Sequence, residues 1–277
     1  KAFAFDACSG FSGDLILPDG ITAIRALTFN ECEGFNGSLK LPKNLKAIEA
    51  NAFRACHNLT GKLELPETLT ELGGVAFGGC NFTGGLRIPG SVSIIGDNAF
   101  YHCQGFNGTL EITEGTTTIL GYSFASCIGF TKVILPESIT KIGTASFRDM
   151  TGLQDVYYAG TAEQWKNISI ESENSPLTSA NIHCDESVAS GACGDKLTWN
   201  LNSAGKLTIS GTGAMWDYEW CQDDDVVYSS APWGSLNVTS LVLEEGITRI
   251  GSCAFLDCAT IEGKLNLPST LREIGDT

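Results

Sequence analysis

Eleven cysteines, three histidines and 32 carboxylates are the groups with which this 277-residue chain could do chemistry. A zinc site needs Cys and His at ligand spacing. Here His57, His102 and His183 stand far apart, and no C-x-x-C occurs. Asp223, Asp224 and Asp225, with Asp217 and Glu219 nearby, form an acidic cluster, but without the alternating ligand positions of a calcium loop. There is no Gly-x-Ser-x-Gly, no Gly-rich phosphate loop and no H-E-x-x-H. These residues predict no enzyme, no metal site and no cofactor. Most of the cysteines follow a rhythm: Cys8, Cys32, Cys56, Cys80, Cys103 and Cys127, with Met150 in the next place. A packing position tolerates that methionine and a disulfide position does not, so buried, reduced thiols are expected there. Cys184, Cys193, Cys221 and Cys253 lie outside the rhythm. Cys184 and Cys193 fit either a clip between two segments or separate thiols.

The rhythm belongs to a repeat. Phenylalanine recurs at Phe5, Phe29, Phe53, Phe77, Phe100, Phe124 and Phe147, spaced by 23 or 24 residues, with the cysteine three places on. The residue before each is small: Ala4, Thr28, Ala52, Ala76, Ala99, Ser123 and Ser146. Ten residues after the early phenylalanines comes an apolar-x-apolar-Pro stretch, as at Leu39 to Pro42 and Leu63 to Pro66. Its alternation predicts one short strand per unit, leucines inward, ended by a proline that has no N–H for the ladder. A second apolar pair, such as Leu45/Ile48 or Ile139/Ile142, is expected to form the opposite wall. One coil cannot bury its own apolar face, so coils must stack and share a core.

The pattern L-x-L-P-x-x-[IL]-T-x-I-G-x-x-A-F-x-x-C resembles the BspA-like leucine-rich repeats. It covers residues 1–158 and resumes over 239–277, with Leu241, Leu243, Ile247, Ile250, Ala254, Phe255 and Cys258. The resemblance implies a leucine-rich-repeat solenoid of the α/β horseshoe type, β-dominated, with about 23–24 residues per coil. It also implies a secreted or cell-surface protein with an adhesin-like role. The chain opens and closes inside a repeat, from which a longer parent protein is expected.

All five tryptophans, Trp165, Trp199, Trp216, Trp220 and Trp233, fall between the two arrays. Thr161-Ala162-Glu163-Gln164 fits a capping box ahead of a short helix, and Ile182-His183-Cys184 fits a closing strand. Residues 159–186 are therefore expected to cap the first array. In residues 187–238 the alternation of Leu197, Trp199 and Leu201, a turn over Asn202 to Gly205, and Leu207 with Ile209 predict a β hairpin. This β-rich insert is expected to cap the second array. Packing is the ordinary use of such large rings; stacking on a glycan is the sharper alternative.

A net charge of −15 argues against nucleic acid as a partner. No run of 18 apolar residues predicts membrane insertion. The residue between the inward pair of each strand must point outward, giving the stripe Ile16, Lys40, Glu64, Arg87, Glu111, Ile134 and Tyr157. This is the expected binding face, its four charges alternating in sign so that neighbours can pair. Ile134 and Tyr157, which lack charge partners, are the candidate anchors. An extracellular protein of a host or neighbouring cell is the expected partner. The alternatives are a glycan held by the tryptophan-rich insert, or no partner at all in a spacer that projects other domains.

Overall fold

The computed structural model describes residues 3–185, 187–202, 205–223, 226–262 and 265–276. The chain divides into two compact units, Lys1–Cys184 and Asp185–Thr277.

In the first unit each turn of chain is a flattened coil stacked in parallel on the next. Strands Gly84–Ile88, Phe106–Ile112, Phe130–Leu135, Asp155–Tyr158 and Asn181–Cys184 form one continuous parallel sheet in sequence order. Leu15–Ile16 and Leu39–Lys40 make a separate parallel pair. The alternation does what it should: Leu86 and Ile88 are buried and Arg87 between them is exposed. The Leu63–Leu65 stretch keeps that burial pattern but forms no ladder.

The expected single strand per coil needs correction, because the opposite wall is also a parallel sheet. Its seven strands, Ala23–Ile24, Ala47–Ile48, Glu71–Leu72, Ile94–Ile95, Thr118–Ile119, Lys141–Ile142 and Ser169–Ile170, are each two residues long. The apolar pairs mark this wall in the sequence, but two residues are too few to display an alternation, which hides its strands. Among the described residues the first unit holds α-helix only in Ala162–Asn167 and Ser175–Thr178, so its coils are β-structure and turns throughout.

The corner of each coil is built around the repeat phenylalanine. Phe53, Phe77, Phe100, Phe124 and Phe147 are fully buried. Successive rings from Phe5 to Phe147 lie 5.2–5.8 Å apart in stacked geometry. A second stack joins Phe11 to Phe35, and Phe82 through Phe106 to Phe130. Two residues before and after each repeat phenylalanine the backbone is left-handed, as at Asn51 (φ 57°) and Ala55 (φ 57°) around Phe53. That conformation costs an L-residue about 1–2 kcal/mol. It is held because the amides on either side and that of the phenylalanine all donate to the following coil. Asn51, Phe53 and Ala55 donate to the carbonyls of Gly74, Ala76 and Gly78 at 2.8–2.9 Å. The corner ladder is therefore polar, with N–H groups toward the higher-numbered coil and C=O groups toward the lower.

The cysteine position follows from the same geometry. The Cys56 thiol donates to the carbonyl of Phe29, one coil back, at 2.9 Å. Cys80, Cys103 and Cys127 repeat the contact onto Phe53, Phe77 and Phe100 at 3.0–3.1 Å. These four thiols are buried and unbridged. Burial pushes Cys56 and Cys103 up to about 12, and Cys80 and Cys127 well above the ordinary thiol range.

The first unit ends in a short helix and a further strand. Thr161 and Gln164 form the reciprocal capping box of Ala162–Asn167, and Asn181–Cys184 pairs in parallel with Asp155–Tyr158.

In the second unit Ser187–Ala192, Leu197–Asn202 and Lys206–Gly211 form an antiparallel meander, which Ser240–Leu243 extends in parallel. The expected hairpin is present; Ser203 and Ala204 of its turn lie outside the described residues. Fully buried Trp233 packs against Trp199, Tyr218 and Phe255 at 5.5–5.7 Å between centroids. Ile247–Ile250 pairs with Gly213–Ala214 on one side and Glu273–Ile274 on the other.

Candidate functional site

The seven stripe residues do not form one continuous row. Ile16, 63% exposed, pairs in register with Lys40. Glu64 sits in the coil without a ladder. Arg87, Glu111, Ile134 and Tyr157 occupy directly adjacent positions of the five-stranded sheet, and the register carries the row on to His183.

The expected charge alternation is realised only in part. Arg87 pairs with Glu111 at 3.8 Å and also with Glu67. Glu64 turns to Lys62 of its own coil at 3.5 Å. Lys40 makes no ion pair among the described residues. Such exposed pairs contribute at most about 1 kcal/mol each, so they leave the row open to a competing partner.

The row is most organised at its far end. The Tyr157 ring stacks on His183 with centroids 4.4 Å apart and planes 15° from parallel. Lys132, one coil back, places its ammonium 4.8 Å above the Tyr157 ring centroid. The other edge of the histidine is fixed by Asp155, whose Oδ1 accepts from Nε2 at 2.9 Å. That hydrogen bond holds the Asp155 carboxyl below the usual carboxylate range. Asp155 and Tyr157 are two apart on one strand and so share a face, with Lys132 and Ile134 beside them on the neighbouring strand. A partly exposed aromatic ring is thus held between an imidazole and an ammonium, with Ile134 beside it.

Sequence reasoning selected Ile134 and Tyr157 here and missed Lys132, Asp155 and His183. The signal lay in the register: Asn181–Cys184 continues the sheet, so His183 must fall beside Tyr157. Of the other histidines, His57 and His102 are exposed at the corners of their coils. Among the described residues no group of three or more His, Cys, Asp or Glu could hold a metal ion.

Of the acidic cluster, Asp224 and Asp225 lie outside the described residues. Asp217 has a structural role: it accepts from the Ser252 amide and from Arg249, both at 2.7 Å. These bonds, the Ser252 amide foremost, hold its carboxyl at about 2. The tryptophans divide by environment. Trp199 and Trp233 are buried, Trp165 is half-buried, and Trp216 and Trp220 are 46% and 61% exposed.

A stack of short parallel strands with one aromatic corner per 23 or 24 residues defines a leucine-rich-repeat solenoid, here of β type. The chain belongs to the BspA type leucine-rich repeat region, which it matches in six copies over residues 1–107, 75–190 and 227–277. Among curated proteins none matches the chain. Several solved structures are similar to it, three of them as follows. A leucine-rich repeat protein from Bacteroides ovatus is 19% identical, over 99% of this chain and 77% of that one, with a TM-score of 0.41. A leucine rich cell surface protein from Faecalibacterium prausnitzii is 22% identical, over 60% and 64%, with a TM-score of 0.27. The pneumococcal vaccine antigen PcpA is 14% identical, over 96% and 71%, with a TM-score of 0.40. Among the described residues no helix is long and apolar enough to cross a membrane.

Proposed function

We propose that the chain is a non-catalytic binding protein, secreted or at the cell surface, with an adhesin-like role. Its ligand is an extracellular protein of a host or neighbouring cell, taken on the Ile134–Tyr157–His183 end of the parallel sheet. The observation that carries this reading is the fixed aromatic platform: Tyr157 stacked at 4.4 Å on His183 beneath the Lys132 ammonium. Tyrosines held in place by their neighbours are among the residues on which protein interfaces concentrate their energy. Membership of the BspA type family supports the surface assignment.

The test is surface plasmon resonance against a panel of host extracellular-matrix and cell-surface proteins, with wild-type chain and a Tyr157→Ala variant. A partner whose affinity falls about 30-fold in the variant fits the loss of a hot spot of about 2 kcal/mol. A partner bound equally well by both places the interface elsewhere. No partner across the panel favours the spacer.

A further inference from the structure

The second unit carries a groove of about 530 Å³ between the Asp195–Lys196 turn and the strand Gly213–Ala214, with Trp216 and Thr248 on its walls. We infer that this groove is a binding site for a neutral pyranose unit of a glycan. The inference is independent of the protein-binding face on the first unit.

Trp216 is the platform. Its ring is exposed, while its backbone is fixed on two sides. Its amide donates to the Cys193 carbonyl at 2.8 Å, and its carbonyl packs so closely on Gly251 that a Cβ there would lie 1.7 Å away. The indole Nε1–H donates to Asp195 Oδ1 at 3.4 Å. A ring held at both backbone and edge, with a face open to solvent, is suited to stack on the C–H face of a sugar, because an indole is an apolar plate with a polar tip.

The polar groups around the ring match sugar hydroxyls. Among the described residues Trp216 is the one hydrogen-bond partner of the Asp195 carboxylate, through Oδ1, so its second oxygen can accept. The Lys196 ammonium and the hydroxyls of Thr212 and Thr248 are exposed and make no hydrogen bond within the chain among the described residues. Together they offer acceptors and donors within the groove that Trp216 lines, the few polar groups that give a small-molecule site its orientation. The floor has room: a Cβ built on Gly213 would meet nothing within 4 Å. Charge selects neutral sugars. One carboxylate and one ammonium balance within the groove, and the chain as a whole carries −15, which repels polyanions.

Trp216 must be distinguished from Trp220, which is more exposed but does not line the groove. The experiment uses the full chain labelled with ¹⁵N, titrated with methyl pyranosides of glucose, galactose, mannose and their N-acetylamino counterparts. The indole N–H resonances report each tryptophan separately. The expected result is saturable movement of one indole resonance, the one missing from the spectrum of Trp216→Phe, with at least one of these sugars. Affinity should fall at least tenfold in Asp195→Ala and be lost in Trp216→Ala. It should be unchanged in Trp220→Ala. Each variant's spectrum, compared with wild type, shows that the fold is kept, and Lys196→Met supplies a second, milder change in the groove with an expected several-fold weakening. The inference is overturned by no titration across the panel, by binding that survives Trp216→Ala, or by a glycan array that selects only sulfated or sialylated chains.

Discussion

The side-chain amide of Asn174 completes the backbone of Phe147. Its Oδ1 accepts from the Phe147 amide at 3.0 Å. In every earlier coil that bond is made by the carbonyl preceding the next phenylalanine, from Phe5 onto Thr28 through Phe124 onto Ser146. The polar ladder leaves N–H groups facing forward at its last coil, and Asn174 presents an acceptor where no further coil supplies one. Its Nδ2 is satisfied in turn by the carbonyls of Gly143 and Glu171, both at 2.9 Å. The second array begins with the opposite requirement. The Ala254 carbonyl, which precedes Phe255, needs a donor, and the buried Trp233 indole supplies one from Nε1 at 2.7 Å.

Replacing Asn174 by Ala should therefore strand a fully buried N–H. That costs about 1–3 kcal/mol, read as a lower urea midpoint for the first unit. Asn181→Ala, on the exposed side of the same cap, should change stability by less than about 0.5 kcal/mol. Equal effects of the two substitutions would mean that Asn174 does not close the ladder.

Trp233→Phe keeps a large ring in the core of the second unit and removes the donor to Ala254. A loss of about 1–3 kcal/mol is expected, together with the packing lost from the smaller ring. Four of the five tryptophans lie in the second unit, so fluorescence follows its unfolding in wild type. In the variant, the midpoint seen by the remaining three should move while that seen by Trp165 stays in place. A common shift of both signals would show that the two units unfold together.

The corner conformation makes a prediction in the stabilising direction. Val75 holds a left-handed φ of 55°, which a β-branched residue adopts only under strain. The same position is Asn51 one coil back and Asn98 one coil on, with φ of 57° and 56°, and asparagine tolerates this region well. Val75→Asn should raise stability by about 0.5–1 kcal/mol. Denaturant melting at constant m-value checks this, and a fall in stability would mean that the valine's packing outweighs its strain.

The parts legible in the sequence were those that every coil repeats. Phe53 and its equivalents, the small residue before each, and the apolar-x-apolar strands announce themselves by recurrence. Cys56 was legible as a packing position, though its thiol bond to the Phe29 carbonyl was not, because a hydrogen bond between coils leaves no spacing signal within one. What occurs once was harder to see. Asn174 and Trp233 imitate the backbone of a missing coil, and imitation by a side chain has no motif. His183 joins the candidate site through the register of a closing strand, whereas its sequence neighbours mark it only as part of a cap. The stripe residues are exposed or half-buried, but the break of the row at Glu64 depends on ladder geometry that the Leu-x-Leu pattern does not encode.

The cysteine ladder predicts an alkaline weakness. In the unfolded chain a thiol ionises near its ordinary value of about 8.5. Burial raises Cys56 and Cys103 to about 12 in the folded state and pushes Cys80 and Cys127 up as well. Below about pH 8.5 these thiols are protonated in both states and stability does not depend on them. Above it the unfolded chain releases protons that the folded chain keeps, so stability falls as pH rises. Each such thiol removes up to about 1.4 kcal/mol per pH unit until its folded value is reached. Urea midpoints measured under reducing conditions at pH 8, 9 and 10 should therefore decline steeply. In a Cys56→Ala, Cys103→Ala double variant the baseline stability is lower, but the decline should be shallower by as much as about 3 kcal/mol per pH unit, since two of the linked groups are gone. A decline of the same steepness in both proteins would trace the alkaline effect to other groups. It would also mean that these thiols are not desolvated in the fold.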